Sequence, residues 1–135
     1  MHEDLGYALM GAAFEVYNQL GYGLAEEVYQ QCLEIELELR GIPFLTKHEL
    51  RLVYKGRAIE KRYVPDIYVQ DSLVVELKAV KELTSDHEAQ LFNYMRIAHQ
   101  PVGYLINFGS KDNLQWQRFI LSDLRKHLSA QISED

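Results

Sequence analysis

Two apolar segments separated by three residues constrain this chain more than any other feature. Val64 to Val69 and Leu73 to Val80 both read as strands, and Gln70-Asp71-Ser72 between them has the length and composition of a hairpin loop. Such a loop sets the register: Val69 opposes Leu73, Tyr68 opposes Val74, Ile67 opposes Val75 and Asp66 opposes Glu76. Directly opposed residues project from one face, with Cβ atoms roughly 5 Å apart. Lys78, two positions beyond Glu76, shares that face. A strand as apolar as Leu73-Val74-Val75 belongs in the middle of a sheet, where charge is costly and two neighbouring carboxylates repel. Folding alone would choose apolar residues at both positions. A divalent cation resolves the conflict, because hard oxygen ligands on a shared face are what Mg²⁺ binds. The plainer alternative is an edge ion pair between Glu76 and Lys78, with Asp66 merely starting a turn after Pro65.

The flanking pattern supplies the rest of a layered α/β unit. Leu5, Leu9, Ala12, Ala13, Val16 and Leu20 recur at helical spacing from Asp4 to Leu20, and Gly21-Tyr22-Gly23 interrupts them. A second helix is expected from Ala25 to Arg40, with Leu24, Val28, Cys32, Ile35 and Leu39 along its apolar stripe and Gly41 as its stop. His48 to Tyr54 alternates, with Leu50, Leu52 and Tyr54 on one side. Lys55-Gly56 is a turn signal, and Arg57 to Val64 returns antiparallel. Ser85-Asp86-His87-Glu88 has the form of a capping box opening a helix to about His99, which Pro101 ends. Val102 to Phe108 and Leu114 to Leu121 read as strands, and Ser122-Asp123 starts a last helix that frays near Glu134. Helices, a group of strands, a helix, two strands and a helix together predict a mixed central sheet flanked by helices, in one domain over residues 1–135.

Charge is distributed unevenly. The chain carries a net charge of −6, which argues against a general nucleic-acid coat protein. Yet Lys47, Arg51, Lys55, Arg57, Lys61 and Arg62 lie together against only Glu49 and Glu60. A solvated hairpin is the bland interpretation; a basic flap beside a phosphate-binding cleft is the sharper one. The same segment also offers a sheet edge for self-association into a homodimer. The single cysteine, Cys32, precludes a disulfide framework within the chain and points to a reducing, cytoplasmic setting. No apolar stretch has the length of a membrane span or the form of a signal peptide, so no membrane partner is expected.

Pro65-Asp66 followed by Glu76-Leu77-Lys78 resembles the signature of the PD-(D/E)XK nuclease superfamily. Further segments resemble one branch of it, the GxxExxY proteins: Gly23, Glu26 and Tyr29; Val75 to Ala79; His87 to Tyr94; and Leu105 to Gly109. The resemblance spans nearly the whole chain in the right order. It implies a restriction-endonuclease-like core and metal-assisted phosphodiester hydrolysis with Mg²⁺ or Mn²⁺. Asp66 and Glu76 would hold the metal, Lys78 would position the attacking water, and Glu26 matches an additional acidic residue near the metal. Glu27 would point elsewhere, since neighbouring helical side chains diverge by about 100°. Gln90 and Tyr94, four apart and so on one helical face, resemble a glutamine-and-tyrosine helix motif that lines the site of exonuclease-like members. His87 falls in the same segment, where a local structural role competes; Tyr29 is expected at the rim of the site and Trp116 in the core. The implied partner is nucleic acid, DNA ahead of RNA, held by the basic hairpin and Tyr94. The rival interpretation is a non-catalytic nuclease-fold module binding nucleic acid or a protein.

Overall fold

The structure, a computed structural model, describes residues 2–121. Helices α1 (His2–Leu20) and α2 (Glu26–Leu39) precede strands β1 (Phe44–Leu45), β2 (Leu50–Tyr54), β3 (Arg57–Tyr63), β4 (Ile67–Val69) and β5 (Leu73–Lys78). Helix α3 (Ser85–Ala98) and strands β6 (Val102–Asn107) and β7 (Gln115–Ile120) follow. The helix expected from Ser122 lies outside the described residues. No described helix is long and apolar enough to cross a membrane.

Five strands form one mixed sheet in the order β1-β4-β5-β6-β7. The register of β4 on β5 is the one that the loop length predicts, Ile67 facing Val75, Tyr68 facing Val74 and Val69 facing Leu73. Gln70 and Asp71 both adopt left-handed backbone (φ 49° and 53°), and the Ser72 amide donates to the Val69 carbonyl at 3.0 Å. Two consecutive left-handed residues match the twist of the flanking strands, which pins this hairpin. Strand β6 then runs parallel to β5, reached through the α3 crossover, and β7 returns antiparallel.

The central strand β5 is buried along nearly its whole length because both faces are covered. On one face Ile67, Val69, Val75, Leu77 and Ile106 meet α1 and α2; on the other Tyr68, Val74 and Leu105 meet Leu91 and Met95 of α3. Alternation along the strands therefore assigns Glu76 and Lys78 to the α3 face.

Several local expectations are corrected. Helix α2 buries Tyr29, Leu33 and Leu37, and the stripe of Leu24, Val28, Ile35 and Leu39 lies outward. The helix carries two apolar stripes at helical spacing, and only one can face the sheet. Tyr29 decides the matter: its ring stacks on Phe108 at 4.8 Å, so it belongs to the core and not to a rim. The basic hairpin β2–β3 does not join the main sheet but forms its own two-stranded sheet. Its turn, Lys55-Gly56, has φ of 49° and 78°. A register shift between Arg51 and Val53 breaks the expected alternation, leaving Leu50 buried while Leu52, Val53 and Tyr54 are exposed. The capping box of α3 sits one residue earlier than Ser85. Thr84 accepts from the His87 amide, and the His87 ring accepts from the Thr84 amide at 3.0 Å. Trp116, expected in the core, is 41% exposed on the edge strand β7, where it stacks on Tyr104. Phe44 and Leu45, too short a run to show alternation, form the edge strand β1 beside β4.

One buried polar side chain locks the exit of β5. The Asn107 amide nitrogen donates to the carbonyl of Val80 at 2.8 Å and to the Gln115 side chain at 3.0 Å. Its oxygen accepts from the amides of Val80 at 2.9 Å and Gly109 at 3.0 Å. At Gly109 a Cβ would lie 2.4 Å from Val80 backbone atoms, so only glycine permits this approach. Asn107→Leu orphans four polar groups at once and is expected to cost on the order of 3 kcal/mol, read as a lowered thermal midpoint. An unchanged midpoint would show that water replaces the clamp.

Candidate active site

The sheet brings Asp66 and Glu76 together in a reciprocal clasp. The Asp66 amide donates to Glu76 Oε1 at 2.8 Å, and the Leu77 amide donates to Asp66 Oδ2 at 2.7 Å. Each carboxylate is thereby fixed through one oxygen. Asp66 Oδ1 and Glu76 Oε2 have no hydrogen-bond partner among the described residues. Pro65, buried just before Asp66, ends the approach from β3 and turns the chain into β4.

Burial sets the electrostatics of the pair. Glu76 is only 3% exposed. Desolvation, reinforced by the Asp66 charge, pushes its carboxyl up to about 8, against the pull of the Asp66 amide and of Lys78. Desolvation also raises Asp66, while the Leu77 amide and Lys78 act in the opposite direction. Lys78 is held from the side, its Nζ donating to Gln90 Oε1 at 2.9 Å; the Gln90 amide in turn contacts the Tyr94 hydroxyl at 3.4 Å. Desolvation and then the Glu76 charge raise the Tyr94 hydroxyl above the ordinary tyrosine range.

The start of α2 closes the other side. Gly23, with φ 106°, makes the bend into the helix, and Gly21 precedes it at φ 70°. The Tyr29 hydroxyl ties that bend down by donating to the Gly21 carbonyl at 2.5 Å and accepting from the Leu24 amide at 3.2 Å. Glu26, three residues before Tyr29, is exposed at the mouth of the site. Partial desolvation and then repulsion from Asp66 raise its carboxyl, while Lys78 lowers it. Glu26 therefore feels the charges of the clasp without completing a cluster: no group of three or more His, Cys, Asp and Glu able to hold a metal occurs among the described residues. Glu27 is exposed and makes no ion pair among the described residues. Gln30, which sequence reasoning missed, donates to the Asp66 carbonyl at 3.0 Å and anchors the clasp to α2. Its position four residues after Glu26, on the same helical face, was the available signal.

The predicted nucleic-acid contacts separate into groups. Lys61 and Arg62 line a groove with Gln90 and Tyr94. Arg51 lines an adjoining groove along α3. Lys47, Lys55 and Arg57 are exposed but line neither. Tyr63, also missed, meets Tyr94 edge-on at 6.2 Å and joins the hairpin to the site. His87 is engaged in capping α3.

The donor set fits a hard divalent cation. Two carboxylates converge on one face of the sheet, each retaining an oxygen without a protein partner among the described residues, and desolvation raises the proton affinity of both, with the Asp66 charge adding to it at Glu76. A consequence concerns stability without metal. Glu76 binds its proton more tightly folded than unfolded, so the folded state loses stability as pH rises from its ordinary 4.5 through about 8. In EDTA the thermal midpoint is expected to fall across that window, by an amount on the order of a few kcal/mol in stability. Millimolar Mn²⁺ should flatten or reverse the slope. A midpoint in EDTA that is flat from pH 5 to 8 would contradict this account.

No curated protein matches the chain. Among solved structures, that of SSO0001 is similar with a TM-score of 0.57 at 18% identity, covering 70% of this chain and 48% of that one. The chain thus spans about half the length of that protein, and the likeness is one of fold. The alkaline exonuclease of Laribacter hongkongensis aligns at 13% identity over 99% of this chain and 92% of that one, with a TM-score of 0.39. The family model described as the PD-(D/E)XK nuclease superfamily matches residues 3–119. That span runs from α1 into β7 and takes in the Asp66–Glu76–Lys78 face and nearly all of the mixed sheet, and by it the chain belongs to the PD-(D/E)XK nuclease superfamily.

Proposed function

We propose that this chain is a divalent-cation-dependent nuclease of the GxxExxY branch, a single cytoplasmic domain that hydrolyses phosphodiester bonds in nucleic acid. The observation that carries the reading is the reciprocal clasp, which holds two costly carboxylates in register with one oxygen of each left over. Asp66 and Glu76 would hold Mg²⁺ or Mn²⁺, with Glu26 at the mouth as the added acidic group. When bound, the cation supplies Lewis-acid polarisation of a phosphoryl oxygen and activation of water.

The chain's own residues have defined tasks in this reading. Lys78, steadied by Gln90, presents an ammonium beside the clasp, where it orients the attacking water and stabilises charge developing on the phosphoryl oxygens. Tyr94 holds the far side of Gln90. The backbone amides of Asp66 and Leu77 keep the carboxylates aligned, so that little reorganisation accompanies reaction. Lys61 and Arg62 add sequence-neutral attraction for the nucleic-acid backbone.

Incubation with labelled single- and double-stranded DNA and RNA in Mn²⁺ tests the proposal, alongside Glu76→Ala and Lys78→Ala. Cleavage that the wild type shows and both variants lack is the expected result; cleavage unchanged in both variants would place the activity elsewhere. The alternative, a binding module without catalysis, draws on the lack of a third close ligand among the described residues. That module would show no rise in thermal midpoint with Mn²⁺, whereas an occupied site stabilises by mass action.

A further inference from the structure

The hairpin β2–β3 packs along α3, and the space between them forms two adjoining grooves. Tyr63 and Asn93 line both, so the two meet at these side chains. One end lies at Gln90 and Tyr94, beside Lys78 and the carboxylate clasp; the other reaches Arg96, Ile97 and His99.

The lining has two characters. Leu52, Val53 and Ile97 supply apolar surface, and Tyr63 and Tyr94 supply aromatic rings. Arg51, Arg96, Lys61 and Arg62 supply positive charge, against one lining carboxylate among the described residues, Asp86. Arg51 uses its Nε on the Ile59 carbonyl at 3.0 Å, and its terminal nitrogens make no further hydrogen bond among the described residues. Among the described residues, Arg96 hydrogen-bonds through its side chain only to the Asn93 side chain. Arg62 pairs with Glu49 at 3.1 Å, but both side chains are exposed, so the pair is weak and open to exchange for a phosphate.

We propose that this groove is the binding track for a single-stranded segment of the substrate, leading it into the site. The inference rests on the nuclease reading above and deepens it by naming the substrate form. A single strand presents both phosphates and unstacked base faces, and cations interleaved with apolar and aromatic surface satisfy both. A duplex hides its base faces and offers phosphates and groove edges, which leaves the apolar lining without a partner. From Gln90 to Ile97 α3 advances about 10 Å, at 1.5 Å per residue. An unstacked strand extends further per nucleotide than the roughly 3.4 Å of a stacked one, so that length takes at most about three nucleotides.

The test is fluorescence anisotropy with a labelled 12-nucleotide oligothymidylate and a blunt duplex of equal length, in EDTA so that no cleavage intrudes. The single strand is expected to bind at least about tenfold more tightly than the duplex. The double variant Arg51→Ala with Arg96→Ala, both at exposed positions, should weaken single-strand binding by about tenfold. Its salt slope should fall by about 1.4, the value for two phosphate contacts on a single strand. Arg51→Lys with Arg96→Lys should restore most of the affinity. Equal or tighter duplex binding, or a double variant with unchanged affinity and salt slope, overturns the proposal. Binding is read without catalysis, so the two ideas can fail separately. Selective single-strand binding in a protein that never cleaves with Mn²⁺ sinks the nuclease reading and leaves the track. Cleavage with no single-strand preference does the reverse.

Discussion

Glu76→Gln should yield a protein that is more stable than the wild type in EDTA at pH 8 and has lost nuclease activity. The substitution keeps an oxygen to accept from the Asp66 amide, so the clasp retains that bond. It removes a carboxyl whose burial and proximity to Asp66 hold its pKa at about 8. In the unfolded chain that carboxyl is ionised well below this pH, and folding must reprotonate it or bury its charge. Deleting it should stabilise the metal-free protein by on the order of 2–3 kcal/mol. For a chain of this size that is a rise of roughly 5–10 °C in thermal midpoint. Cleavage should fall at least about a hundredfold, as when a preorganised electrostatic group is lost. The gain in midpoint expected of the wild type in Mn²⁺ should be absent from the variant. A variant less stable than the wild type in EDTA would mean that the carboxylate is structurally satisfied, and the metal site would lose its physical motive.

Lys78→Met should separate charge from packing. Methionine retains the unbranched apolar stem and removes the ammonium that Gln90 holds at 2.9 Å. Lys78 opposes the raised proton affinity of Asp66, Glu76 and Glu26 alike. Its loss should therefore lift all three further and steepen the fall in metal-free stability toward alkaline pH. Single-turnover cleavage should drop by about 10²–10³-fold, in line with removal of a charge-stabilising donor from a desolvated site. Lys78→Arg, which keeps the charge in a different geometry, should restore the stability profile but not the rate. A Lys78→Met variant cutting within about threefold of the wild type would remove this residue from the proposed mechanism.

Much of the site was legible because its geometry is local. A three-residue loop and period-two alternation place Asp66, Glu76 and Lys78 on one face, and the structure has that register. Gln90 and Tyr94 follow from one helical turn. Gln30 was not legible, because its bond to the Asp66 carbonyl crosses 36 residues and depends on how α2 lies over the sheet. The α2 face was misjudged for the same reason: either stripe satisfies the helical period, and the Tyr29–Phe108 stack selects one of them.

The sequence by itself determined most of the elements and the register of β4 on β5, since strand alternation, loop length and glycine turns act between residues close in the chain. Which α2 stripe is buried, the separation of the basic hairpin from the main sheet and its docking along α3 were decided only by tertiary structure. These depend on burying apolar surface between segments far apart in sequence. So does the electrostatic character of the site: Asp66 and Glu76 have ordinary carboxyls in an extended chain, and desolvation inside the folded protein raises the proton affinity of both.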